Sequence, residues 1–150
     1  MIGRALVAGG VLWVAAILLA PVAIASRQGG LSLGAAGVYT AGAQVCHQRP
    51  ARCFWIRGRP MPVCARCTGL YAGAAVAGPL ALFLAAGLSS RRARFTAAVA
   101  ALPTLVTWGI EFAGLAHPSN SVRAIAAVPL GFVVAWLVIS TLPRGTRADG

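Results

Sequence analysis

Four long apolar stretches alternate with short polar connections along this chain, and arginine, proline or small polar residues mark most of the boundaries. The first stretch runs from about Ala5 to Ala25, between Arg4 and Arg27. At about 1.5 Å per residue, a helix of that length crosses roughly 30 Å, one hydrocarbon core. Pro21 is expected to kink it near one face. The second stretch covers about residues 68–88, the third about 95–116 and the fourth about 124–142. In the second, Gly69 and Gly73 form a small-xxx-small pair that lets a neighbouring helix come close. Ser89 to Arg94 is a basic turn. His117-Pro118-Ser119-Asn120-Ser121 is another turn, where Pro118 discourages helix continuation.

The connection between the first two stretches, residues 27–67, is different in kind. Leu31 to Val45 is apolar but short and carries Gly34, Gly37 and Gly42, which suits an interfacial or re-entrant segment better than a span. From Cys46 onward the connection is polar and reads as irregular, with Pro50, Gly58, Pro60 and Pro62 among Arg49, Arg52, Arg57, Arg59 and Arg66. Phe54-Trp55 suits headgroup depth. The pattern as a whole predicts an all-α integral membrane protein. Its expected form is a single membrane domain over residues 1–150, a four-helix transmembrane bundle with a Cys/His-containing loop between the first two spans. Ala23-Ile24-Ala25 before Ser26, with Arg4 upstream, also fits a cleaved signal peptide. The apolar run is long for that role, so a retained helix is the expectation.

Composition strengthens the membrane reading. Hydrophobic residues make up 59%, charged residues 10%, and mean hydropathy is +0.80, against roughly a quarter charged in ordinary soluble domains. The expected setting is a multi-pass position in the cell membrane, with the lipid bilayer as partner. The net charge is +11 and every basic residue is Arg. The arginines sit in the connections, with no amphipathic basic helix and no basic patch interleaved with aromatics, so membrane-flanking charge explains them and nucleic-acid binding is not expected. They divide almost evenly between the two membrane faces. The basic turn and the tail favour an inner N-terminus, which puts the Cys/His loop outside, where thiols meet oxidising conditions. The opposite orientation keeps those thiols reduced and favours metal.

All four cysteines and one of the two histidines fall in that loop: Cys46-His47, Cys53 and Cys64-Ala65-Arg66-Cys67. Two thiolates in a Cys-x-x-Cys turn can grip one metal ion, and a tetrahedral site needs two more ligands. Spacing alone points to Cys46, Cys53, Cys64 and Cys67, since the side chains of adjacent Cys46 and His47 tend to diverge. Zinc is the expected metal. The same residues permit thiol redox chemistry. Cys67 is expected near the start of the second span, where a helix N-terminus and Arg66 favour thiolate, as in a quinone-linked disulfide oxidoreductase. A purely structural clip, metal or disulfide, is the plain alternative.

Cys46-His47-Gln48, Arg52 and Phe54, and then Pro62-Val63-Cys64-Ala65-Arg66-Cys67-Thr68-Gly69-Leu70-Tyr71-Ala72-Gly73, resemble the prokaryotic membrane proteins grouped as domain of unknown function 2085. The likeness extends through Pro103 to Asn120-x-x-Arg123 and Gly131. It implies fold and membrane location and brings no activity. That family's pattern usually has Ser where this chain has Cys53, and often Asp near Thr107. The ligand set the resemblance implies is therefore Cys46, His47, Cys64 and Cys67, with Cys53 in reserve.

Among other polar residues, Glu111 is the only acid within a span and should face the bundle, a cavity or a cation, with Arg123 or Arg66 as an ion-pair partner ahead of a proton-relay role. Asn120 and Arg123 suit helix capping and headgroup contact. Four alternating spans put their turn, with His117, on the same side as the Cys/His loop; His117 itself is expected at the surface. Arg52, Arg57, Arg59 and Arg66 can hold an anionic lipid or small anion there. The chain has no Gly-rich phosphate loop, no Ser-His-Asp set and no carboxylate pair for acid–base work.

Overall fold

The computed structural model describes residues 1–26, 28–84 and 88–142. Among these residues, five α-helices form in order: α1 (Ile2–Ala25), α2 (Gly29–Val45), α3 (Ala65–Leu84), α4 (Ser90–Phe112) and α5 (Asn120–Thr141). Four of them, α1, α3, α4 and α5, are long and apolar enough to cross a membrane. Their outer faces carry large apolar side chains such as Phe95, Leu102 and Ile125, exposed where a soluble chain would place polar groups.

The last three helices begin earlier than the apolar pattern suggested, at Ala65, Ser90 and Asn120 rather than near residues 68, 95 and 124. Hydropathy marks only the lipid-facing middle of a helix, whereas backbone hydrogen bonding runs on through a polar first turn. The polar first turns of α3 and α5 supply Arg66, Cys67, Asn120 and Arg123 to the site described below. The predicted end of the second span at residues 85–87, together with Arg27 and the tail from residue 143, lies outside the described residues. α1 continues through Pro21 to Ala25.

The predicted irregular loop is built from regular pieces. α2 occupies its first part. A 3-10 turn at Pro50–Arg52 and a two-stranded antiparallel hairpin follow, β1 (Trp55–Ile56) and β2 (Arg59–Pro60), with Trp55 opposite Pro60 and Ile56 opposite Arg59. The hairpin turn needs positive φ at both central residues, and Arg57 (51°) and Gly58 (74°) supply it. Met61 N–H donates to Phe54 O at 2.8 Å and extends the ladder by one bond. The architecture is thus mostly helical, with one small β element in the cap.

Glycine sets the closest helix pair. A Cβ on Gly69 would overlap the Ala124 carbonyl, one on Gly73 that of Val128, and one on Gly131 that of Leu70, so the α3 and α5 backbones touch at three points. Thr104 in α4 donates to Ala126 O of α5 at 2.8 Å. α1 runs antiparallel to α3, with Val7 against Gly78 and Trp13 edge-on to Tyr71 at 6.1 Å. Further along α1, Ile17 packs into a buried cluster with Cys46, Met61 and Val63. That cluster seats the cap on the bundle, at the end where α3 and α5 begin and α4 finishes.

Candidate metal centre

Three local devices bring Cys46 to Cys64. Cys46 ends α2 in extended conformation (φ −147°, ψ 140°). Two residues on, Gln48 adopts a left-handed backbone (φ 48°), and its Nε2 donates to Tyr39 O at 2.7 Å and Pro62 O at 2.8 Å. One amide therefore staples the end of α2 to the strand entering α3. Gly42 completes the clamp, because a Cβ there would collide with the Pro62 carbonyl. The Tyr39 hydroxyl donates to Pro60 O alongside.

Cys64 immediately precedes α3, and its carbonyl accepts the Thr68 N–H at 2.9 Å. Its own N–H donates to Cys46 Sγ at 3.1 Å, and its Sγ lies 3.5 Å from Cys67 Sγ. The Sγ atoms of Cys46, Cys64 and Cys67 all lie within 4.8 Å of one another. All four cysteines are free thiols. The thiol hydrogen bond with Cys67 holds Cys64 well below the usual thiol range against the cost of burial, helped by the Cys67 N–H, the Cys46 thiol and the Arg66 N–H at the start of the helix.

The donor set fits a thiophilic cation. Tetrahedral zinc with Zn–S bonds of about 2.3 Å requires sulfurs about 3.8 Å apart. The observed spacing reaches that arrangement through side-chain movements on the order of 1 Å.

Two predicted ligands stand elsewhere. Cys53 is fully buried, donates its thiol to Arg49 O at 3.2 Å, and is pushed up to about 11 by burial reinforced by Cys46 and Cys64. It lies outside the three-sulfur group because the 3-10 turn after Pro50 aims it inward under the hairpin. His47 is exposed and lines the adjoining cavity without joining the three sulfurs. Side chains of neighbouring residues in extended backbone point to opposite sides, so Cys46 turning inward turns His47 outward. His117 is exposed.

Beside the sulfurs, one carboxylate gathers three guanidiniums. Glu111 Oε1 lies 2.9 Å from both Arg52 and Arg123, and Oε2 lies 3.0 Å from Arg66, with the Glu111 side chain only 7% exposed. Sequence reasoning offered Arg66 or Arg123 as partner; the structure brings both, and Arg52 from the cap as well. Asn120 links the set to the cap, its Oδ1 accepting from Arg123 at 2.8 Å and its Nδ2 donating to Cys53 O at 2.9 Å. The N-cap of α5 is Ser119, not Asn120: the Ser119 hydroxyl accepts the Val122 N–H at 3.3 Å. A cavity of about 370 Å³ opens between the two groups, lined by Cys46, Cys64, Cys67, Arg49, Arg52, Arg66 and Arg123 among others.

Gln48 and Gly42 are the residues whose roles sequence reasoning missed. The signal was present in Cys-His-Gln, but nothing in one dimension says that this amide will reach Pro62, fourteen residues further on, while holding Tyr39.

The family described as predicted membrane protein (DUF2085) matches residues 46–137. The chain belongs to this family. The matched stretch starts at Cys46 and contains every residue of the sulfur and arginine groups, whereas α1 and α2 precede it. An uncharacterized protein of Methanothermobacter thermautotrophicus is 34% identical over 99 residues, which cover 62% of this chain and 83% of that one. Another uncharacterized protein, from Methanocaldococcus jannaschii, is 31% identical over 104 residues, covering 68% of this chain and 66% of that one. No solved structure matches.

Proposed function

We propose that this protein is a multi-pass protein of the cell membrane, a single membrane domain in which Cys46, Cys64 and Cys67 bind one zinc ion at the membrane face. The observation that carries the reading is the mutual approach of three Sγ atoms from two separate elements, the end of α2 and the start of α3. Three thiolates leave one of four coordination positions to a ligand from the cavity, the pattern of a site that works on or senses a ligand as well as holding structure. The metal would also lock the cap to α3, since Cys46 and Cys64 lie on opposite sides of the hairpin.

Elemental analysis of the protein purified in detergent tests this. About one equivalent of zinc per chain is expected, falling below about a tenth in Cys46→Ser, Cys64→Ser and Cys67→Ser. Cys53→Ser and His47→Ala should keep it. Metal-free protein with all four thiols intact would contradict the reading.

A second reading, a membrane thiol-disulfide oxidoreductase, draws on the 3.5 Å Cys64–Cys67 sulfur separation and the thiolate tendency of Cys64. Closing that disulfide releases two protons and two electrons, which a membrane quinone would accept. It requires an oxidised Cys64–Cys67 pair in cells; finding only free thiols after acid trapping would remove it.

A further inference from the structure

Four arginines, Arg49, Arg52, Arg66 and Arg123, line the cavity beside the sulfurs, and one carboxylate faces them. The other acidic residue of the chain, Asp149, lies outside the described residues. Three positive charges of the cluster are thus left without a carboxylate among the described residues, and the neighbouring Cys64 sulfur offsets at most one of them. Guanidinium groups brought together and partly buried in this way are costly unless each charge and each N–H is matched.

The N–H inventory shows the same deficit. Arg123 is only 8% exposed, and its Nε has no hydrogen-bond partner among the described residues. Arg66 Nε is equally unpartnered, on a side chain 15% exposed. Their outer nitrogens are already committed to Glu111, through hydrogen bonding by Arg123 and by charge proximity alone for Arg66. Buried guanidinium donors left unmatched are rare, and both of these side chains line the cavity.

We propose that this cavity binds a phosphate-class oxyanion, held by Arg49, Arg52, Arg66 and Arg123. A single carboxylate would supply one charge. A phosphate supplies up to two, with several acceptor oxygens that suit planar guanidinium forks. A cavity of about 370 Å³ is roomy enough for a phosphate group and part of what it is attached to. Its position at the membrane face admits two sources of that chemistry, a lipid phosphate headgroup or a free phosphate compound. The site stands on the arginines and does not rest on the metal reading.

Calorimetric titration of the purified full chain in low-chloride buffer tests it, with inorganic phosphate in one arm and phosphatidylglycerol in mixed micelles, against phosphatidylcholine, in the other. Saturable binding of inorganic phosphate supports the proposal with a free anion as ligand. Saturable binding of phosphatidylglycerol alone supports it with a lipid headgroup. Arg52→Gln and Arg49→Gln, at exposed or partly exposed positions that leave the fold intact, should each weaken binding about tenfold, the scale of one charge-assisted hydrogen bond. Arg91→Gln, which removes an exposed guanidinium at the opposite end of α4 from Glu111, should stay within about twofold of the parent. The proposal is overturned if neither probe binds saturably at millimolar concentration, if the Arg49 and Arg52 variants both bind like the parent, or if Arg91→Gln weakens binding as much as they do.

Discussion

Glu111→Gln is expected to destabilise the protein by about 3–5 kcal/mol, the usual cost of removing one partner from a buried ion pair. The substitution keeps the shape of the side chain and removes only its charge. Glu111 is the only carboxylate among three guanidiniums that come from the cap (Arg52), the start of α3 (Arg66) and the start of α5 (Arg123). Without it, three like charges face one another across one helix end. The single amide oxygen left can accept from only one side of the cluster, so Arg123 and Arg66 no longer both face an acceptor, while the Arg123 Nη1 bond to Asn120 remains. The expected damage is localised. α3 and α5 keep their glycine-mediated contact, whereas the cap loses its tie to α4. Arg52→Gln is the contrasting variant. Its side chain is 43% exposed, so solvent screens the pair and the loss should stay below about 1 kcal/mol. Chemical denaturation in a mild detergent checks both. Equal, small effects would show that Glu111 is not the hub of the cluster.

Removal of the proposed zinc ion is the second large effect expected. A ligand present at about a thousand times its dissociation constant stabilises a fold by about 4 kcal/mol, and thiolate zinc sites commonly exceed that ratio. For a chain of this size, the unfolding midpoint should fall by roughly 10–15 °C when a high-affinity chelator strips the ion. The segment released is specific. Cys46 and Cys64 are linked by one N–H···S contact and by the Gln48 staple, so without the ion the cap is held by that amide, by the Tyr39–Pro60, Asn120–Cys53 and Arg52–Glu111 contacts, and by the Ile17–Met61–Val63 packing. Chelation should therefore raise amide exchange first in residues 46–64 and leave the centres of α3 and α5 protected. In Cys64→Ser the chelator should do nothing further. A parent protein whose midpoint does not move under chelation would contradict this.

The apolar pattern was enough to locate the four long helices, because a helix in lipid must satisfy its backbone internally and show lipid an unbroken apolar surface. Their polar first turns escaped the pattern for the same reason: hydropathy is silent where a helix leaves the hydrocarbon. In the cap, Cys64-x-x-Cys67 was readable as a local turn, since its two sulfurs are placed by one helix start. The third sulfur, Cys46, depends on where α2 ends and on Gln48 reaching across to Pro62, a long-range placement that spacing does not carry. Cys53 was expected with the others on spacing alone, yet the 3-10 turn and hairpin rotate it toward the Arg49 carbonyl. The hairpin escaped notice because Arg57-Gly58 is a weaker turn signal than Asn-Gly and its strands are only two residues long. Glu111 stood out as an acid inside a span, and that isolation itself predicts partners. How many arginines meet it depends on three helix ends converging.

The most direct test of the three-thiolate site is X-ray absorption at the zinc edge on the purified protein. Three sulfur scatterers at about 2.3 Å and one lighter atom, oxygen or nitrogen, at about 2.0–2.1 Å are expected. A shell of four sulfurs would place Cys53 in the site and contradict the geometry described here, and a shell of nitrogen and oxygen alone would remove the cysteines from metal binding altogether.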